Sequence, residues 1–269
     1  MAESNMDLIT EESDGILIAT LNRPDKLNAL NAETMRLLSD AVIHFRDAEY
    51  LKVFLLRSTG RYFSSGADLK DEGRNKDLPQ PRTAREIRET HRIHLNGMQR
   101  IYDEMEHIEK PFVVAHHAMC VGGGLEVSLS CDFRLAAKSA AYSFPEGLFG
   151  VLPASNGVSR LTRLCGPHWA RWLVMGNKPV PAGLALTMGL VHQVYPDGTF
   201  EDEVMAFCRH LAKQNGEQMG AAKIAIELAS EVGRDSGRHI ERMANSALML
   251  NPEYQARLQE YVGGVGRRR

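Results

Sequence analysis

Two glutamates, Glu126 and Glu146, stand twenty residues apart in backbone suited to chemistry. Glu126 closes the run Val121-Gly122-Gly123-Gly124-Leu125-Glu126, and Glu146 follows Ser143-Phe144-Pro145 in a mostly apolar stretch. A glycine run entering a helix exposes N–H groups that lack intrahelical partners, and the helix dipole adds positive potential there. A second small-residue turn, Phe63-Ser64-Ser65-Gly66-Ala67-Asp68-Leu69, leads to an expected helix start at Asp68. One N–H from each turn could converge on a single oxygen, an oxyanion hole for a carbonyl that becomes an enolate or a tetrahedral anion. Glu126, near a helix N-terminus, is expected to be ionised, whereas Glu146, in apolar surroundings, is expected to hold its proton. Two carboxyls pushed apart in this way make a base and an acid.

Other chemistries find less support. The glycine run lacks the lysine and hydroxyl of a P-loop, GxGxxG does not occur, and no GxSxG elbow presents a serine nucleophile. The His91-x-x-His94 and His116-His117 pairs lack a third ligand, so they read as surface or packing residues and no metal site is assigned. Cys120, Cys131, Cys165 and Cys208 have no CxxC spacing and read as reduced thiols. A net charge of −2 gives no argument for nucleic acid or an anionic membrane surface. The polar start Met1-Ala2-Glu3-Ser4-Asn5 resembles neither a signal nor a transit peptide, and no segment approaches a membrane span. The expectation is a cytoplasmic protein.

The elements that must position these groups follow from periodicity. Of the 269 residues 43% are hydrophobic, enough for a substantial core. Apolar runs predict strands over 15–21, 52–57, 112–115, 133–137, 141–144 and 190–195. Asn31 is placed to cap a helix through about Asp47, with Met35, Leu38, Val42 and Phe45 on one face. One long helix is expected over 84–109, after a charged loop from Lys70 to Thr83. Beyond Pro153, helices are expected over 155–165, 167–175, 181–189, 200–215, 219–228 and 238–250. Alternation of strand and helix to about residue 150 argues for an α/β core. A boundary near residue 200 then separates a core, 1–200, from a helical region, 201–269. Two strand–turn–helix passages recur, around Gly66 and around Gly123.

Several landmarks occur in a telling order. They are Leu21-Asn22-Arg23-Pro24 through Leu27-Asn28-Ala29-Leu30, the Phe63–Leu69 turn, Lys110-Pro111, Gly122–Glu126, Cys131-Asp132, Phe144-Pro145-Glu146 and Gly150-Val151-Leu152-Pro153. In this the chain resembles the enoyl-CoA hydratase/isomerase (crotonase) superfamily, from about residue 8 to 200 and more weakly beyond. The resemblance implies a spiral of ββα turns followed by a helical trimerisation region. It implies an acyl-CoA thioester substrate, with coenzyme A as part of the substrate and no separate cofactor, and a homotrimer or dimer of trimers. By motif, the oxyanion donors fall on the N–H groups of Ala67 and Gly123, and the coenzyme A contacts on Lys26, Ala29, Ser65, Ala67, Asp68 and Leu69. Hydratases of this family keep both glutamates. The implied reaction is therefore reversible addition of water across a 2,3-double bond, Glu126 taking the proton of the attacking water and Glu146 supplying one to Cα. C–C lysis, isomerisation and thioester hydrolysis are the alternatives on the same site.

Three departures stand out. Pro153-Ala154-Ser155-Asn156-Gly157 replaces the common Pro-Gly-Ala-Gly-Gly, so Ser155 or Asn156 is expected to touch the acyl group. His117-Ala118 replaces Asn-Gly, and the ending Glu260-Tyr261-Val262-Gly263-Gly264 leaves Tyr261 as the aromatic for an adenine pocket, without the usual lysine. Lys70, Arg74, Arg82 and Arg85 belong to the family's variable loop. They are candidates for coenzyme A phosphates, although each alone reads as part of a solvated charge run.

Overall fold

The structure, a computed structural model, describes residues 6–70, 83–94 and 96–264. Arg74 and Arg82, and the side chains of His91 and His94, lie outside the described residues. The chain divides into two compact units, Met1–Lys213 and Gln214–Arg269.

The first unit is built on a six-stranded sheet in the order β1 (Leu8–Ser13), β2 (Ile16–Leu21), β3 (Val53–Ser58), β5 (Phe112–His116), β7 (Phe133–Ala137) and β10 (Gln193–Tyr195). Only β1 and β2 are antiparallel. The central strands are mostly apolar because parallel strands bury both faces; every residue of β2 and β5 is buried. Helix α1 (Ala32–Asp47) starts where expected, since the Asn31 side chain accepts a hydrogen bond from Thr34 N at 2.7 Å. Its buried stripe Met35, Leu38, Val42 and Phe45 faces the sheet, and the Phe45 ring meets Phe54 and Phe112 edge-on.

A second, four-stranded sheet runs β4 (Tyr62–Ser64), β6 (Met119–Val121), β8 (Ala141–Ser143), β9 (Val180–Pro181). Each of β3–β4, β5–β6 and β7–β8 lays one strand in the first sheet and the next in the second, so the chain winds as a spiral. The stretch expected as one helix comprises α2 (Ala84–His94) and α3 (Asn96–His107). Then follow α4 (Gly123–Leu129), α5 (Gly157–Ala170), α6 (Ala182–Thr187) and α7 (Phe200–Ala212), with a π-helical turn at Arg171–Met175 after α5.

The second unit holds α8 (Gly216–Ala229), capped by Asn215 on Gln218 N, α9 (Arg234–Leu248) and α10 (Pro252–Gly264). Helix α9 buries no residue, and Met243, Leu250 and Tyr261 are largely exposed. Among the described residues no helix is long and apolar enough to cross a membrane.

Candidate active site

Parallel pairing in the second sheet stacks three turns. Ser64 pairs with Cys120, and Cys120 with Tyr142. Two residues beyond each lie Gly66, Gly122 and Phe144, so the two glycine turns and the segment carrying Glu146 form successive rungs. The first two rungs touch: a Cβ on Gly66 would sit 3.0 Å from the Val121 oxygen and 3.2 Å from Gly123 N. Likewise a Cβ on Gly123 would lie 3.4 Å from Ala67 N.

The two amides are free for a ligand. Ala67 bridges Leu30, but the bonds run from Leu30 N to the Gly66 oxygen and from Asp68 N to the Leu30 oxygen, so the Ala67 N–H points away from Leu30. Gly123 opens α4 at its first position, where an N–H has no intrahelical acceptor. Neither amide has an acceptor among the described residues. Asp68 does not start a helix: residues 68–70 run through a turn, and the first donor owes its freedom to the one-residue bridge rather than to a helix end.

The glycines of the run have separate reasons. Gly122 has φ 52° and ψ −123°, a conformation closed to side chains, and a Cβ there would lie 2.8 Å from Glu146 Oε1. Gly124 lies against Ser64, whose Cβ would be 2.6 Å from an added methyl group. Gly122→Ala is therefore expected to cost about 1–3 kcal/mol from backbone strain, plus displacement of the Glu146 carboxyl. Equilibrium urea unfolding checks this, and an unchanged midpoint would contradict it.

Both carboxyls belong to this site. Glu126 is 5% exposed and aims at the start of α5, where its Oε1 accepts from Ser155 N at 2.7 Å. Burial raises its pKa, and the Ser155 and Gly157 amides, Arg160 and the Ser155 hydroxyl offset part of the rise. The influence favouring the ionised form thus comes from the start of α5 rather than from its own helix alone, and it offsets only part of the rise caused by burial. Glu146 packs on Gly122, and its Oε2 is buried without a hydrogen-bond partner. Burial first, then the Glu126 charge, pushes its pKa up to about 7, the direction expected.

Segments 26–30 and 65–69 run side by side. Ser65 N donates to the Leu27 oxygen at 2.9 Å, and Ser64 Oγ to the Asn28 oxygen at 2.8 Å. Asn28, buried with φ 51°, accepts from Arg23 N and donates to the Thr59 and Tyr62 carbonyls. Arg23 in turn pairs with Asp68 at 3.0 Å and with Asp7 at 3.3 Å. Burial would raise the Asp68 pKa, but the Lys70 amide and Arg23 hold it below the usual value. The structure thus brings Lys26, Ala29, Ser65, Ala67, Asp68 and Leu69 to one edge of the site, with Lys26 and Leu69 exposed and Ala29 buried.

Sequence reasoning missed the supports beneath α4. Ser128 Oγ donates to the Gly124 carbonyl at 2.7 Å and meets His116 Nε2 at 2.8 Å. His116 is fully buried, and desolvation lowers its pKa to about 3, so it is a neutral packing residue. Arg134 is buried at the C-terminal end of α4, where it donates to the Cys131 and Ser128 carbonyls, a favourable place for a cation. The Ser155 backbone faces Glu126, while Asn156 is exposed in a left-handed conformation (φ 65°).

The model of the family described as Enoyl-CoA hydratase/isomerase matches residues 11–263. The chain belongs to this family. It is 28% identical over 236 residues to crotonyl-CoA hydratase of Syntrophomonas wolfei, covering 87% of this chain and 86% of that protein. It is 32% identical over 224 residues to carnitinyl-CoA dehydratase of Salmonella typhi, covering 81% and 77%. The crystal structure of enoyl-CoA hydratase from Thermoplasma volcanium superposes with a TM-score of 0.84 at 26% identity, covering 97% of this chain and 99% of that one. The spiral of two sheets with C-terminal helices is the crotonase fold, and the chain is a crotonase-superfamily enzyme of hydratase-like kind.

Proposed function

We propose that this member of the family adds water reversibly across the 2,3-double bond of an enoyl-CoA thioester. One observation carries the reading: two amides without acceptors among the described residues, Ala67 and Gly123, lie beside a buried carboxyl contacted by backbone donors and a half-buried one with an unpartnered oxygen. In this reading the thioester oxygen takes both N–H bonds. A water held between the carboxyls attacks C3 while its proton passes to Glu126. The electron pair moves onto C2 and the thioester oxygen, where the two amides stabilise the enolate, and Glu146 then delivers its proton to C2. The edge formed by Lys26, Ala29, Ser65, Asp68 and Leu69 takes the coenzyme A portion. Assembly as a trimer or dimer of trimers is part of the proposal, supported by the exposed apolar side chains of α9 and α10.

Incubation with crotonyl-CoA is expected to lower the conjugated thioester absorbance to an equilibrium value and to yield a product heavier by one water. Release of free coenzyme A, of an aldehyde, or of a shifted double bond would replace hydration by hydrolysis, C–C lysis or isomerisation. Because Glu146 must carry a proton to act as the acid, kcat/KM in the hydration direction is expected to fall as pH rises through about 7. A rate that keeps climbing to pH 9 would remove Glu146 from that role.

A further inference from the structure

We propose that Arg160 is a positioning residue for the Glu126 carboxyl, acting through Ser155; this rests on the reading of Glu126 as the base. Ser155 is held on both sides. Its N–H donates to Glu126 Oε1 at 2.7 Å, and its carbonyl accepts from Arg160 Nη1 at 3.1 Å. Arg160 is 7% exposed and gripped from α3. Its Nε donates to Glu106 Oε1 and its Nη2 to Glu106 Oε2, both at 2.6 Å, while Nη2 also reaches Asp103 Oδ1 at 2.7 Å.

A planar guanidinium can meet a carboxylate with two parallel bonds and still present a third N–H to a carbonyl, which an ammonium cannot do. The neighbours of Ser155 are held as well, but from exposed positions. Ala154 is exposed and its carbonyl accepts from the Gln99 side chain at 2.9 Å, while the exposed Asn156 supplies no side-chain cap to α5 but its carbonyl accepts from Arg160 N and Ser159 Oγ, both at 3.0 Å. Gln99 holds the peptide plane that carries the Ser155 N–H, and Arg160 holds the next plane through the Ser155 carbonyl, so Arg160 fixes the buried side of the residue whose N–H holds a buried carboxyl ready to ionise. The positive charge of Arg160 acts on Glu126 in the same sense.

Arg160→Lys keeps the charge and loses the fork. It is expected to lower kcat about tenfold or more while KM changes by less than about twofold, as for a catalytic group misplaced by a fraction of an ångström. The acid limb of kcat/KM and the ¹³C titration of the Glu126 carboxyl, assigned with Glu126→Gln, are both expected to move to higher pH. A purely structural arginine would lower stability without moving either titration. Glu106→Gln fills the same volume and weakens one side of the fork, so it is expected to move both in the same direction, less far. It carries the test if Arg160→Lys does not fold. An unchanged Glu126 titration in folded Arg160→Lys, or a change confined to KM, overturns the proposal. The carboxyl titration needs no turnover. A wild-type protein that hydrates no enoyl-CoA would sink the hydration reading, while a titration shift in Arg160→Lys would still uphold the role of Arg160.

Discussion

Glu146→Gln is expected to lower crotonyl-CoA hydration at pH 7 about 10²–10⁴-fold, the range for loss of a general acid, and at the same time to stabilise the fold. The two effects share one cause. The carboxyl is pressed against Gly122 with Oε2 buried and unpartnered, and burial lifts its pKa from 4.5 to about 7. The folded chain thus keeps a proton that the unfolded chain releases. Folding loses stability as pH rises from about 4.5 to about 7, and the loss is complete above that window. Discounted for the solvent that reaches this half-buried group, the cost is about 1–2 kcal/mol. Glutamine has the same shape and no charge to bury. Urea unfolding of wild type and variant at pH 5 and pH 8 should give nearly equal midpoints at the lower pH and a more stable variant at the higher. Equal midpoints at both would show that the carboxyl is not strained by its surroundings. Glu126→Gln should lose a comparable amount of activity, and the double variant little more than either, because base and acid serve one step.

Gly123→Pro is expected to reduce kcat/KM for the same substrate about 10²–10³-fold with the fold retained, the cost of losing one oxyanion donor. Proline removes the N–H and is well tolerated at the first position of a helix, where that N–H has no intrahelical partner. The preceding residue does not forbid it: Gly122 at φ 52°, ψ −123° is the mirror image of an extended conformation, which glycine alone adopts freely. A Cβ at this position would meet nothing nearer than Ala67 N at 3.4 Å and Leu30 Cδ1 at 3.7 Å. Circular dichroism establishes folding and steady-state kinetics reads the loss. A folded variant of undiminished kcat/KM would remove the Gly123 amide from the mechanism.

Much of the architecture was legible because its signals are local. Asn31 and the stripe of α1 announce a helix, and long buried runs announce β2, β3, β5 and β7. The second sheet was harder to read, because its strands are two or three residues long, too short to show a period. β1 was missed because only Leu8 is buried and the rest of Leu8–Ser13 faces outward with two glutamates. At the site, the glycine run and the two glutamates stood out as types. The proton affinity of Glu126 did not, since it depends on desolvation and on donors from residues 155 and 157. Arg160 was hidden for the same reason: its carboxylate partners come from α3, more than fifty positions earlier.

The stacked rungs make the spacing of the proposed anion cradle a property of the β-ladder. Neighbouring strands repeat at about 4.8 Å, and consecutive turns of one winding chain inherit that pitch, so Ala67 and Gly123 are set apart by a ruler that no single loop controls. Insertions elsewhere along the spiral can reshape what fits around the remainder of a substrate without disturbing the grip on its carbonyl. Such a scaffold allows the range of acyl groups to diversify while the reacting end is held to one geometry.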